Sequence, residues 1–257
     1  MKILEFNANY FLGFNGKLTD YVLKSRRAVR SNREVEFSTI EQFVDLLEEE
    51  EPDVVYIAEV DGGSFRTTTQ GHMEEIVERC SERGIDYSSR FHSKYGERKK
   101  LSQLPVLKHM GNGLLYKDGF ESEIHYVTPG VKELVYEVKD AEEDFSFFTV
   151  HLPLVRHTRR KQIKKLQQMI EEKVSDGRKA LISGDFNNYY GERELRPFTE
   201  RDDFNVVSPG DTLYNTFLPY REVDLFIHSE EVNVSDCRTV DLKISDHLPT
   251  VVEIDFS

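Results

Sequence analysis

A chain of 257 residues, 38% hydrophobic and 32% charged, suits one large α/β domain or two small ones and carries enough apolar sequence for a real core. No apolar run approaches about 18 residues, so no membrane-spanning helix is expected. The formal charge of −13 argues against indiscriminate nucleic-acid binding over the whole surface.

The first residues, Met1-Lys2-Ile3-Leu4-Glu5-Phe6-Asn7, read as a strand and carry no secretory pattern. Cys80 and Cys237 have neither a close partner nor zinc spacing, and both observations suit a reducing cytoplasm. Helical spacing follows over 17–31 and 38–50, with Ser38 or Thr39 as N-cap and Pro52-Asp53 as the break. Val54 to Ala58 is a buried strand ending at Glu59. A helix is predicted over 68–83, stopped by Gly84, and a basic loop over 92–110. Strands are predicted at 113–116, 121–127, 133–138 and 145–151, then a basic helix over 156–175 closed by Asp176-Gly177. Lys179 to Ile182 is a strand delivering Gly184-Asp185. Past a Pro-containing, loop-like stretch come strands at 223–228, 231–235 and 248–255. This order argues for one mixed-sheet domain over 1–257.

The charge is unevenly spread. Residues 90–110 carry six Lys or Arg against Glu97, and residues 155–173 carry seven against Glu171 and Glu172. Two basic islands on an acidic chain suggest an anionic ligand, with Arg98, Lys99, Arg159 and Arg160 as candidate phosphate contacts.

Isolated polar residues end or interrupt several apolar strands: Asn7, Glu59, His151, Asp185 with Asn187, and Asp224. Asp246 and His247 stand immediately before the last strand. Ligands of layered α/β folds gather at such strand ends. Carboxylates can hold a hard cation and a water, while imidazole and carboxamide orient a phosphate. A carboxylate-paired histidine also keeps its positive charge near neutral pH. The absence of a His/Cys cluster disfavours zinc.

The ordered set Asn7, Glu59, Thr149-Val150-His151, Gly184-Asp185-Phe186-Asn187, Asp224 and Ser245-Asp246-His247 resembles the endonuclease/exonuclease/phosphatase superfamily. The likeness runs from Asn7 to His247, and Gly-Asp-Phe-Asn and Ser-Asp-His-Leu-Pro are its specific motifs. It implies a four-layer α/β/β/α sandwich, with two mixed β-sheets face to face and helices outside. It also implies a catalytic site at one edge.

The resemblance gives Glu59 a Mg²⁺ or Mn²⁺ ion, with Asn7 and Asp246 in or near its shell. Asp185 would orient or deprotonate the attacking water, and Asn187 would hold a phosphate oxygen. His151 and His247 would contact phosphate, with Asp224 fixing His247, and Asn112 would support the site or bind phosphate. The expected activity is a divalent-metal-dependent phosphoester hydrolase.

A nuclease or phosphodiesterase acting on nucleic acid is the first candidate, with Tyr95, Tyr189 or Tyr190 offered for base stacking. A phosphatase or phosphodiesterase for a small or lipid phosphoester, of inositol phosphate or sphingomyelin type, is the alternative. No protein partner is implied. The chain has no Trp, and Ala58-Glu59-Val60-Asp61 departs from the Gln-Glu-Thr-Lys type sequence of apurinic endonucleases. Asn188-Tyr189-Tyr190 departs likewise from the inositol-phosphatase motif.

Overall fold

The computed structural model describes residues 1–14, 31–67, 70–95, 107–127, 132–213 and 222–256. Among them, strands β1 (Lys2–Asn7), β2 (Val54–Asp61), β3 (Ser88–Ser93), β4 (Met110–Tyr116), β11 (Val232–Thr239) and β12 (Thr250–Phe256) make one sheet, in the order β11-β12-β1-β2-β4-β3. Strands β5 (Phe120–Tyr126), β6 (Leu134–Asp140), β7 (Phe145–His151), β8 (Lys179–Asp185), β9 (Phe204–Val207) and β10 (Asp224–Ser229) make the second, in the order β5-β6-β7-β8-β10-β9. β1 runs parallel to β2 and β7 parallel to β8, while the other pairs are antiparallel.

Helices α1 (Arg33–Glu50) and α2 (His72–Glu82) cover the outer face of the first sheet. Helix α3 (Arg156–Ser175) and the short α4 (Arg196–Thr199) cover the second. The result is the expected four-layer sandwich. α1 places Ile40, Phe43, Val44 and Leu47 on one buried stripe, the spacing of a helix face on a sheet. α3 does the same with Ile163, Leu166 and Ile170.

Strand alternation sets what lies between the sheets. Ile3, Val54, Phe147, Leu181, Phe226 and Val252 point inward and fill the middle with apolar volume. Two residues further along the same columns the side chains turn polar: Glu5 after Ile3, Tyr56 after Val54, Thr149 after Phe147, Ser183 after Leu181, all buried. The site lies at that polar end.

Several expectations change. α1 begins at Arg33, not residue 38: Asn32 Oδ1 accepts from Val35 N–H at 3.3 Å, while Thr39 is inside the helix and its hydroxyl turns back to the Val35 carbonyl. The predicted helix at 17–31 falls almost wholly outside the described residues, and that at 68–83 is shorter, His72–Glu82. Two strands had no prediction, Ser88–Ser93 and Phe204–Val207. Both are sheet-edge strands with polar or short sequences, so neither needs the apolar run of a central strand.

Outside the site, Glu137 on β6 is fully buried and held by Lys173 of α3 at 2.7 Å, His125 at 2.8 Å and the Ser146 hydroxyl at 3.0 Å. Burial opposes its charge, but these partners win and bring its pKa down to about 2 from 4.5. A depressed carboxylate pKa contributes stability in full above the unfolded value and loses it as pH falls through the folded one. Glu137→Gln should cost about 1.5–3 kcal/mol at neutral pH. It should also flatten the loss of stability between about pH 4.5 and 2, read from urea midpoints across that range.

Candidate active site

Three neighbouring strands deliver three side chains abreast. His151 ends β7 and pairs in register with Asp185, which ends β8; Asp185 in turn pairs with Asp224, which opens β10. Lateral register puts all three on the inward face, where each is almost fully buried. Gly184 permits this: its φ is +143°, and a Cβ there would lie 1.9 Å from the Val150 carbonyl oxygen. The opposing sheet supplies Asn7 from β1 and Glu59 from β2.

Asp185 is the hub. Its Oδ1 accepts the Asn187 backbone N–H at 2.9 Å, and its Oδ2 accepts Asn7 Nδ2 at 3.2 Å. His151 Nε2 lies 3.3 Å from Oδ2, and His247 Nε2 lies 4.0 Å from it. Burial, helped by Asp224 and opposed by His247, raises the Asp185 pKa to about 6. His247 Nδ1 meets Asp224 Oδ2 at 2.9 Å. Burial alone would discharge His247, but Asp224 and then Asp185 raise it to about 10, so it is an imidazolium. His151 goes the other way: burial, then Lys132, push it well below the usual histidine range. The two histidines thus carry different charges.

Glu59 occupies a break in the β2–β4 ladder, where register shifts between Ile57 and Val60, and its φ is +56°. Asn112 on β4 stabilises that bulge: its Oδ1 accepts the Glu59 N–H at 3.2 Å and its Nδ2 donates to Tyr56 OH at 2.8 Å. Asn112 is 1% exposed with both ends of its amide engaged, so it positions Glu59 rather than reaching a phosphate. Lys94 Nζ donates to Glu59 Oε1 at 2.9 Å, and Lys132 Nζ lies 3.9 Å from the same oxygen and touches His151 Nε2. Burial would raise Glu59, but Lys94 and then Lys132 hold it well below the carboxylate range. Asp246 accepts Asn9 Nδ2 at 3.0 Å, and Asn9 N–H donates to Asn7 Oδ1 at 3.2 Å, joining Asp246 to the Asn7 side of the site.

Glu59, Asn7 and Asp246 are oxygen donors of the kind a hard cation takes, and Glu59 is ionised, with its Oε1 engaged by Lys94. Asp185, Asp224 and His247 also bring ligand atoms within 4.8 Å of one another, although the imidazolium charge on His247 and its bond to Asp224 suit it better to phosphate.

Other expected contacts fall elsewhere. Arg98 and Lys99 lie outside the described residues. Arg159 is fully buried: its guanidinium donates to Glu194 Oε2 at 2.6 and 3.1 Å and to the carbonyls of Pro153 and Leu154 at 2.9 and 2.8 Å. With four of its five N–H donors taken and the side chain fully buried, Arg159 is a loop clamp. Arg160 is exposed on α3. Asn187, at φ +50°, donates its amide to the Leu152 carbonyl at 2.8 Å, locking the loop after β8 to the loop after β7.

Sequence reasoning missed Glu5, Lys94 as a Glu59 partner, Tyr10, whose hydroxyl accepts from Lys94 Nζ at 2.6 Å, and Lys132. Glu5 could have been found from the period of two, since it precedes Asn7 on the same face. Burial, Asp224 and Asp185 push its pKa well up. Lys94 and Lys132 belong to no motif, and only the fold brings them to Glu59.

The sequence profile of the Endonuclease/Exonuclease/phosphatase family matches residues 6–247. A search of curated proteins finds no match. Among solved structures, the mannosyl-6-phosphatase Bt3783 of Bacteroides thetaiotaomicron VPI-5482 superposes with TM-score 0.66 at 14% identity, covering 100% of both chains. The human Nocturnin catalytic domain with bound sulfate gives 0.65 at 17%, covering 100% of this chain and 93% of that one. D. rerio TDP2 complexed with single strand DNA product gives 0.65 at 16%, covering 99% and 98%. At these identities the likeness establishes the fold.

Arg159→Met should lower stability by about 3–5 kcal/mol, because Glu194 loses its buried partner. The urea midpoint should fall, whereas a phosphate-binding arginine would leave the midpoint in place and raise KM.

Proposed function

The chain belongs to the endonuclease/exonuclease/phosphatase family, and on that footing we propose that it is a divalent-metal-dependent phosphodiesterase acting on nucleic acid. The observation that carries the reading is the row His151–Asp185–Asp224 on three adjacent strands, with His247 held on Asp224 and Glu59 facing from the other sheet.

Asp185 has the position and the basicity for a general base. Two hydrogen bonds fix its carboxylate, and a pKa of about 6 leaves it ionised yet able to take a proton from water near neutral pH. His247, kept positive by Asp224, donates to a phosphoryl oxygen where negative charge grows in the transition state. His151, neutral and fixed between Asp185 and Lys132, orients a second oxygen. A divalent cation held by Glu59, Asn7 and Asp246 would supply Lewis-acid charge on the phosphoryl oxygens. Asn187 shapes the loop around Asp185.

Nucleic acid is favoured over a small phosphoester by the exposed basic face of α3. Arg160, Lys161, Lys164 and Lys165 are solvent-facing there without an acidic partner among the described residues. The likeness to a TDP2 solved with single strand DNA product supports the same reading. The net charge of −13 and the likeness to a mannosyl-6-phosphatase favour the competing one, a phosphatase for a small phosphoester.

A panel of oligonucleotides, bis-p-nitrophenyl phosphate, sugar phosphates, inositol phosphates and sphingomyelin, run in Mg²⁺ or Mn²⁺, separates the two. Oligonucleotide cleavage that EDTA abolishes is expected. Asp185→Asn should lower kcat by about 10²–10⁴ through loss of the base. Unchanged turnover in that variant would remove the mechanism.

A further inference from the structure

Among the described residues, the large apolar side chains most open to solvent are Phe65 (69%), Val155 (64%), Leu154 (63%) and Tyr190 (61%). None is scattered at random over the surface. Phe65 lies in the loop that continues β2 past Glu59, Leu154 and Val155 follow His151, and Tyr190 follows Asn187. Every one is on a loop leaving a strand that delivers a candidate site residue.

These loops are held in place. Asn187 Nδ2 and Leu152 N–H tie the loop after β7 to the end of β8 and the turn beyond it, at 2.8 Å each. The buried Arg159–Glu194 pair then fastens both loops from beneath, with Arg159 also donating to the Pro153 and Leu154 carbonyls. Arg156 bonds the same Glu194 at 3.2 Å and places its guanidinium 4.6 Å from the Tyr190 ring centroid. An aromatic ring backed on one side by a cation and open on the other is a stacking platform. Exposed apolar side chains on anchored loops beside a site mark a binding surface.

The chemistry of the surroundings selects the occupant. α3 leaves this lip with Arg156, Arg160 and Lys164 spaced one turn apart on its solvent face, beside Lys161 and Lys165. An alkyl chain would gain nothing from that row of cations. A polyanion with flat apolar units fits both features.

We infer that Tyr190, backed by Arg156, stacks an unpaired nucleobase next to the scissile phosphate while the α3 cations follow the backbone of a single strand. This rests on the phosphoester-hydrolase reading and adds the strandedness and the place of the base. A duplex keeps its bases stacked on each other and offers the platform none.

The test uses the whole chain with a 5′-fluorescein-labelled oligothymidylate, the same strand annealed to its complement, bis-p-nitrophenyl phosphate, and sphingomyelin vesicles. Turnover is followed in Mn²⁺, and binding of the labelled strand by fluorescence anisotropy in EDTA. Single strand should be preferred to duplex by at least about tenfold. Tyr190→Ala should weaken single-strand binding and raise its KM by about 5- to 100-fold with kcat nearly kept, the range of losing one base stack. Arg160→Glu with Lys164→Glu should weaken binding and flatten its salt dependence. A preference for duplex, hydrolysis of vesicles without oligonucleotide cleavage, or unchanged affinity in Tyr190→Ala would each overturn the inference. Absence of turnover on every substrate would instead sink the hydrolase reading, and the anisotropy comparison would still decide the platform.

Discussion

The structure depends on a change of polarity inside the sandwich. The inward columns of both sheets start apolar and turn polar partway along their strands, so the site is an extension of the core rather than a depression in the surface. Burying ionisable groups there carries a desolvation cost of several kcal/mol per unpaired ion, and the arrangement is stable only because the groups answer one another. Asp224 answers His247, Lys94 and Lys132 answer Glu59, and Asn7 with the Asn187 backbone answers Asp185. The same low-dielectric setting separates the charge states of these groups: His247 positive, His151 neutral, Asp185 with a raised pKa.

Local backbone geometry supports that layer. Glu59 and Asn187 both hold positive φ angles, which non-glycine residues adopt at a cost of about 1–3 kcal/mol each; the first presents its carboxylate to the site and the second locks the loop beside Asp185. Asn112 compensates the first by bonding the Glu59 N–H, and the Asp185 carboxylate compensates the second by accepting the Asn187 N–H. Gly184 contributes the close approach of β7 and β8 that puts His151 beside Asp185. The Glu59 bulge, the Asn187 turn and the Gly184 close contact thus all fall at the end of the sandwich that carries the site.

Around this site the chain resolves an apparent conflict in its charge. An acidic protein is a poor general binder of polyanions, yet the basic residues of α3 are gathered on one exposed face that begins at the loop after His151. Their field is local, screened beyond roughly 8–10 Å at physiological ionic strength, so it acts on a ligand already at the lip more than on one far away. Arg159 shows why composition alone misleads here. It lies in the same basic run, but burial and Glu194 make it a structural clamp that presents Tyr190 and Leu154 to solvent.

The sequence by itself determined most of the elements and the polar residues at strand ends, because strand alternation and short motifs such as Gly184-Asp185-Phe186-Asn187 are local properties. The helix over 156–175, the strand over 145–151 and the delivery of Asp185 could be read from spacing alone. The edge strands at 88–93 and 204–207 could not, since an edge strand half open to solvent needs no apolar signature. The start of α1 was misplaced because Thr39 and Asn32 are both competent caps, and packing of the helix stripe on the sheet chose between them. Only the tertiary structure brought Lys94, Lys132 and Glu5 to the site, turned Asn112 and Arg159 into supports, and left Tyr190 exposed where Tyr95 is buried. These outcomes depend on which face meets which across two sheets, a long-range relation that no local pattern of residues encodes.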